Sequence, residues 1–105
     1  MYLKILSLAR NSATMKDACA MIISGRVQGV MFRDFAQRKA TALGLTGEVE
    51  NMPDGTVRVR AEGEREVLEK LVTLLKKGVP ASQVDSVSVR WEAPRGSFDV
   101  FSIRY

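Results

Sequence analysis

The order of strand-like and helix-like segments along the chain restricts its fold more than any other feature. Residues 20–27 form a short apolar run rich in β-branched side chains, which is typical of a largely buried strand. Residues 47–61 alternate on both sides of the turn sequence MPDG and predict a hairpin. Between these strands, apolar residues recur at helical spacing and Gly44 supplies the stop; they are Phe32, Phe35, Ala36, Ala40 and Leu43.

The second half of the chain passes from helical spacing back to alternation. The sequence EREVLEKLVTLLKKG is the clearest helix, because an apolar stripe runs through it and its end charges match the helix dipole. The run VDSVSVRWE alternates, and SFDVFSIRY provides a final strand after the turn PRG. The order β-α-β-β-α-β with an added C-terminal strand predicts an α+β fold. It is the ferredoxin-like split βαβ sandwich, with two helices on one face of a mainly antiparallel sheet.

The lack of histidine and the scarcity of cysteine limit the chemistry of the chain. It contains no histidine and one cysteine, Cys19, which we interpret as a small buried hydrophobic residue. A zinc site of the usual nitrogen and sulfur type cannot be built, and neither can Ser–His–Asp or Cys–His catalysis. We therefore predict no metal site and no cofactor. An enzyme of this composition would work with arginine, lysine, carboxylates, amides and backbone groups.

The first residues of the chain differ in pattern from the rest. We predict an N-terminal extension at residues 1–17, which could be mobile and in which Met15 is a second candidate start, and a single domain at residues 18–105. No disulfide can form, and no apolar run is long enough to span a membrane. These features favour a cytoplasmic protein away from membranes. Small size and alternating surfaces favour a monomer.

The sequence GRVQGVMFR, residues 25–33, lies where the first strand passes into the first helix. Gly25 and Gly29 relax the backbone so that consecutive amides can converge, and the helix N-terminus adds the positive end of its dipole. Arg33 is disfavoured at that end unless an anion accompanies it, and its guanidinium can grip two oxygens of one oxyanion. The alternative is that the glycines only permit a tight turn and Arg33 is a solvated charge. Because no GK[ST] follows, a nucleoside triphosphate site is disfavoured.

The string GRVQGVMFRDF, followed by AxxLGLTGEVEN and DGTV, resembles the acylphosphatase family from about Cys19 to Tyr105. The resemblance implies hydrolysis of the carboxyl-phosphate bond of acyl phosphates, with Arg33 binding the phosphoryl group and Asn51 positioning the attacking water. It also implies that loop amides form a cradle for the phosphate, at Gln28, Gly29, Val30, Met31, Phe32 and Arg33. Many members carry glycine or another residue where this chain has Met31, so we expect Met31 to alter access or rate.

Elementary chemistry is compatible with this role for Asn51. A carboxylate is a good leaving group, so the reaction needs positioning and charge stabilisation more than acid assistance. An asparagine cannot act as a base, but its amide can orient a water molecule. The alternative is local hydrogen bonding, since Asn51 precedes a Pro-Asp-Gly turn, where asparagine is common. Asn51 is predicted to share the buried face of its strand with Val49, where a polar residue is unusual, and this favours a functional role over local hydrogen bonding.

Two other functions remain as alternatives. RNA-recognition domains share this arrangement and the chain carries a net charge of +4, but base stacking needs aromatic residues on the central strands, where this sequence has none. The second alternative is a non-catalytic anion-binding domain, or an accessory domain related to carbamoyl phosphate. A measurement of turnover would distinguish such a domain from an enzyme. We expect a small-molecule acyl phosphate as the partner, and no nucleic acid.

Overall fold

The computed structural model describes residues 16–105. Most of the predicted N-terminal extension, with the candidate start at Met15, therefore lies outside the described residues. The elements follow the predicted order: β1 (Lys16–Arg26), α1 (Phe32–Ala42), β2 (Thr46–Asn51), β3 (Val57–Glu64), α2 (Arg65–Lys77), β4 (Gln83–Glu92) and β5 (Phe101–Arg104).

The strands form one five-stranded sheet in the order β4-β1-β3-β2-β5. Neighbouring strands are antiparallel except β2 and β5, which run parallel. Both helices pack against this sheet. The predicted fold class, a ferredoxin-like α+β sandwich with a mainly antiparallel sheet, is confirmed.

The core lies between the helices and one face of the sheet. Apolar side chains of β1, β2 and β3 are fully buried in it, among them Met21, Val49, Val57 and Val59. The alternating apolar residues of β4 are only partly buried against the core; they are Val87, Val89 and Trp91. Cys19 is also buried in this layer, and its burial raises the pKa of the thiol to about 11. The thiol is therefore neutral at physiological pH, which agrees with the interpretation of Cys19 as a small hydrophobic residue.

The first strand is longer than its apolar run. Within the described residues it extends to Lys16, four positions before the predicted start, because β1 lies between β3 and β4 and its backbone pairs with both strands past the buried side chains. Lys16 pairs with Glu64 of β3, and Ala18 pairs with Glu92 of β4. Lys16 and Asp17 are thus part of the sheet, whereas the division of the chain at residues 17 and 18 stays a prediction.

The connection between β4 and β5 passes from one edge of the sheet to the other, since these strands lie at opposite edges. Glu62 on the central strand β3 holds the connection, because its carboxylate accepts hydrogen bonds from the amides of Arg95 at 3.2 Å and Gly96 at 3.0 Å. Phe98 lies beside the guanidinium of Arg60. This crossing places the last strand against β2, with Phe101 paired to Gly47.

Gly47 is the glycine whose replacement we expect to destabilise the fold most. It has φ 150°, and an added Cβ would lie 1.9 Å from the carbonyl oxygen of Arg60 on β3. Gly47→Ala must therefore strain the backbone and push two central strands apart. We expect the free energy of unfolding to fall by about 3 kcal/mol and Tm by roughly 12 °C or more, measured by denaturant and thermal unfolding.

The matched control is Gly44→Ala at the end of α1. Gly44 also has a positive φ, 76°, but an added Cβ there meets nothing within 4 Å. We expect Gly44→Ala to lower the free energy of unfolding by about 1 kcal/mol, the cost of holding alanine in a left-handed conformation. If the two variants lost the same free energy of unfolding, the contact with the Arg60 carbonyl would not be the reason that position 47 requires glycine.

Candidate active site

The loop between β1 and α1 faces the ends of β2 and β5 across one open cavity of about 370 Å³. The cavity takes residues from all of these elements: Val27, Gly29, Met31, Phe32, Arg33, Asp34, Asn51, Ile103 and Tyr105. The structure thus brings together the two residues proposed from the sequence as catalytic, Arg33 and Asn51. Of the predicted cradle residues, Gly29, Met31, Phe32 and Arg33 line the cavity, while Gln28 and Val30 do not.

The backbone of the loop presents a row of amide groups. Gly29 and Met31 both have positive φ, 75° and 64°, and residues of alternating handedness turn successive N–H groups toward one side. Within residues 16–105, the amides of residues 28–34 donate to no protein acceptor. Helix α1 begins here without a side-chain cap at Met31, so its unpaired N–H groups add to the row. The arrangement suits an oxyanion.

The two glycines of the loop sequence have different roles. Gly25 lies within β1 at a bulge opposite β4, where an added Cβ would come 2.1 Å from the carbonyl oxygen of Gln83. Gly29 lies in the loop itself, and an added Cβ there would meet nothing within 4 Å. Gly25 is therefore required by the close approach of β4, and only Gly29 shapes the loop as the sequence suggested.

Arg33 stands on the first turn of α1, partly exposed, with its guanidinium held by the end of β5. Its Nη1 donates a hydrogen bond to the carbonyl oxygen of Arg104 at 3.1 Å, and its Cζ lies 4.8 Å from the centre of the Tyr105 ring. In the part of the chain that the structure describes, no carboxylate lies within ion-pair distance of Arg33. A cation at a helix N-terminus without an acidic partner is electrostatically disfavoured, and an anion in the cavity would relieve this.

Asn51 is the last residue of β2, and its side chain does not serve the turn that follows. Its Oδ1 is closed off from solvent and accepts no hydrogen bond within residues 16–105. The turn is instead bonded by Asp54, whose carboxylate accepts from the amide of Thr56 at 3.0 Å and from its hydroxyl at 2.7 Å. These bonds, the hydroxyl first, lower the pKa of Asp54. Local hydrogen bonding therefore does not explain the asparagine.

The remaining wall of the cavity is largely apolar. Met31 is 71% exposed at the mouth, and Ile103 and Tyr105 approach from the end of β5. Sequence reasoning did not assign Ile103 of β5 or Tyr105, which follows β5, to the site, since their approach depends on β5 pairing with β2. No local motif signals that pairing.

Within residues 16–105, no three side chains of aspartate, glutamate, cysteine or histidine come close enough together to hold a metal ion. Neither helix of this described part of the chain is long and apolar enough to cross a membrane.

The fold and the cavity together define a small α+β domain with an open cavity at a helix N-terminus, an arrangement that suits an oxyanion. The profile of the acylphosphatase family matches residues 19–103. An acylphosphatase from Pelotomaculum thermopropionicum is 45% identical over 85 residues, 81% of this chain and 92% of that protein. The chain belongs to the acylphosphatase family.

Solved structures agree with this assignment. The crystal structure of acylphosphatase from Bacillus subtilis superposes with a TM-score of 0.82 at 40% identity, covering 87% of this chain and 100% of that one. A full-length HypF in a phosphate- and nucleotide-bound form matches with a TM-score of 0.79 at 30% identity, over 87% of this chain but 12% of that one. The predicted family and the expected activity, acyl phosphate hydrolysis by an acid-anhydride hydrolase, are confirmed at the level of the family.

Proposed function

We propose that this protein hydrolyses acyl phosphates with Arg33 and the loop amides of residues 28–33 as the phosphoryl site and Asn51 as the residue that positions water. The observation that carries this proposal is that three kinds of polar group meet at one cavity. The guanidinium of Arg33 bonds a backbone carbonyl but, within residues 16–105, has no carboxylate in ion-pair distance. In the same part of the chain the loop amides donate to no protein acceptor, and Oδ1 of Asn51 accepts no hydrogen bond. Together they match an oxyanion and a polar nucleophile beside it.

The chemistry is a displacement at phosphorus. A bond forms between the water oxygen and phosphorus, while the bond from phosphorus to the carboxyl oxygen breaks and its electron pair leaves with the carboxylate. The products are a carboxylate and inorganic phosphate, and the proton of water passes to a phosphoryl oxygen. Fixed donors that surround the phosphoryl oxygens stabilise the charge that develops on them. The acyl group then has the apolar wall formed by Met31 and Ile103 beside it.

A non-catalytic anion-binding domain is the competing function, and HypF shows that a related domain can form a small part of a larger chain. Asn51 favours hydrolysis. A cradle that only binds phosphate needs no polar side chain kept without a partner, and such a group costs about 1–3 kcal/mol when buried.

We also propose that the protein acts as a cytoplasmic monomer without nucleic acid, metal or cofactor. Light scattering should then give a mass close to 11.6 kDa.

The direct test is release of inorganic phosphate from acetyl phosphate by the purified full chain, with EDTA present throughout. We expect turnover that EDTA does not lower, because phosphoryl binding here uses protein cations and dipoles. The control substrate p-nitrophenyl phosphate has a poorer leaving group and should be hydrolysed far more slowly. A folded protein that binds inorganic phosphate but leaves acetyl phosphate intact would instead support the anion-binding domain.

A further inference from the structure

The side chain of Gln28 joins two parts of the site that the sheet keeps apart. Gln28 precedes Gly29 in the loop, and its Nε2 donates to the carbonyl oxygen of Met52 at 2.9 Å and to that of Thr56 at 2.8 Å. Both carbonyls belong to the turn between β2 and β3. Both protons of the amide are thus used in bonds to the hairpin, and Gln28 is not among the residues that line the cavity.

The turn does not depend on Gln28 for its closure. The amide of Met52 donates to Thr56 at 2.8 Å, and the amide of Gly55 donates to Met52 at 3.1 Å. Each carbonyl that Gln28 contacts therefore already has a backbone donor, and Gln28 supplies the second. The two added bonds tie the closed turn to the loop.

The tie matters for Asn51 because β3 lies between β1 and β2 in the sheet. The loop after β1 and the end of β2 are thus separated by two strand spacings, about 10 Å. Asn51 immediately precedes Met52 and pairs with Val57, the first residue of β3. Within residues 16–105, its Oδ1 accepts no hydrogen bond that would fix the side chain directly. The bonds from Gln28 connect the loop directly to the turn that begins next to Asn51.

We propose that Gln28 is a positioning residue, whose side chain holds the water-orienting Asn51 in register with the phosphoryl site. The inference rests on the proposed function of Arg33, the loop amides and Asn51. It gives the glutamine a side-chain role in addition to its backbone amide in the cradle.

The test replaces Gln28 with methionine, which has nearly the same length and no donors. We expect kcat on acetyl phosphate to fall by about 10- to 100-fold, because a shift of Asn51 by about 1 Å from the phosphoryl site can reduce the rate by that much. The inhibition constant of inorganic phosphate should stay within about twofold, since the cradle itself is backbone. Tm should fall by only a few degrees, because both carbonyls keep a partner. A kcat within twofold of wild type, or phosphate affinity falling in step with kcat, would overturn the proposal.

A matched control is Gln37→Met on α1. Gln37 also donates from Nε2 to a backbone carbonyl, that of Phe101 at 3.3 Å, and so ties a helix to β5 away from the turn. We expect a comparable fall in Tm with unchanged kcat. If Gln28→Met does not fold, Gln28→Glu replaces it, since glutamate keeps the length and its carboxylate cannot donate. The same loss of kcat is expected.

A double-mutant cycle with Asn51→Ala tests the route of the effect. If Gln28 acts through Asn51, the double variant should be no slower than Asn51→Ala alone. Losses that multiply would show that the glutamine acts independently, and the proposal would fail. A wild type that does not hydrolyse acetyl phosphate would refute the proposed function itself. If wild type hydrolyses acetyl phosphate and the Gln28 variants have the same kcat, only the positioning role of Gln28 is refuted.

Discussion

Arg33→Ala is expected to lower kcat/KM for acetyl phosphate by about a thousandfold or more and to weaken binding of inorganic phosphate by at least ~10-fold. Arg33 is the cation that faces the cavity from the first turn of α1, and within residues 16–105 it has no carboxylate partner. Its removal takes away the group that would bind two phosphoryl oxygens at once. Because those oxygens gain charge during the reaction, turnover should suffer more than ground-state binding.

The same substitution should leave the fold nearly unchanged. Arg33 makes one hydrogen bond, to the carbonyl oxygen of Arg104, and its guanidinium lies over the Tyr105 ring. Exposed contacts of this kind contribute little, so the free energy of unfolding should change by no more than about 0.5 kcal/mol. Denaturant unfolding beside the kinetic assay separates a lost function from a lost structure.

Two variants act as controls for the arginine. Arg33→Lys keeps the charge but loses the planar fork, and we expect it to recover only a small part of the lost activity. Arg90→Ala removes an exposed arginine that pairs with Glu92 on the edge strand, and its activity should equal that of wild type. If Arg33→Ala retained wild-type phosphate affinity, the guanidinium would not be part of the phosphoryl site.

Local patterns could predict much of the fold. The alternation around Val57 and Val59 and the stripe around Leu71 depend on neighbouring residues alone, and they gave the correct elements and buried faces. A sequence motif also pointed to two candidate site residues. Arg33 at the helix start and Asn51 at a strand end line one cavity, and their roles stay predictions.

What the sequence could not provide are contacts set by the order of strands in the sheet. Ile103 and Tyr105 reach the cavity because β5 pairs with β2 after crossing the sheet. Gly25 looked like a loop glycine, yet its constraint comes from Gln83 on β4. Gln28 meets a turn 24 residues further along the chain. Hydrophobic periodicity records which face of an element is buried but not which element lies beside it, so these contacts have no local signal.

Asn51→Ala is expected to reduce kcat by about 100- to 1,000-fold, with the inhibition constant of inorganic phosphate within about twofold of wild type. The side chain offers a polar group to the nucleophile rather than to the phosphoryl oxygens, so its loss should act on turnover and spare binding. The variant should also be more stable. In wild type, Oδ1 is shielded from solvent and has no donor among residues 16–105, so removing this unsatisfied carbonyl should add about 1 kcal/mol to the free energy of unfolding.

Asp54→Ala in the same turn provides the opposite control. Asp54 accepts two hydrogen bonds from Thr56 and is fully exposed, so its loss should lower Tm while leaving kcat unchanged. Kinetics and thermal unfolding of the two variants together decide the role of the asparagine. A turn-forming Asn51 would behave like Asp54, with stability lost and turnover kept. A gain in stability accompanied by a loss of turnover would mean that the protein retains this side chain for catalysis at a cost to its fold.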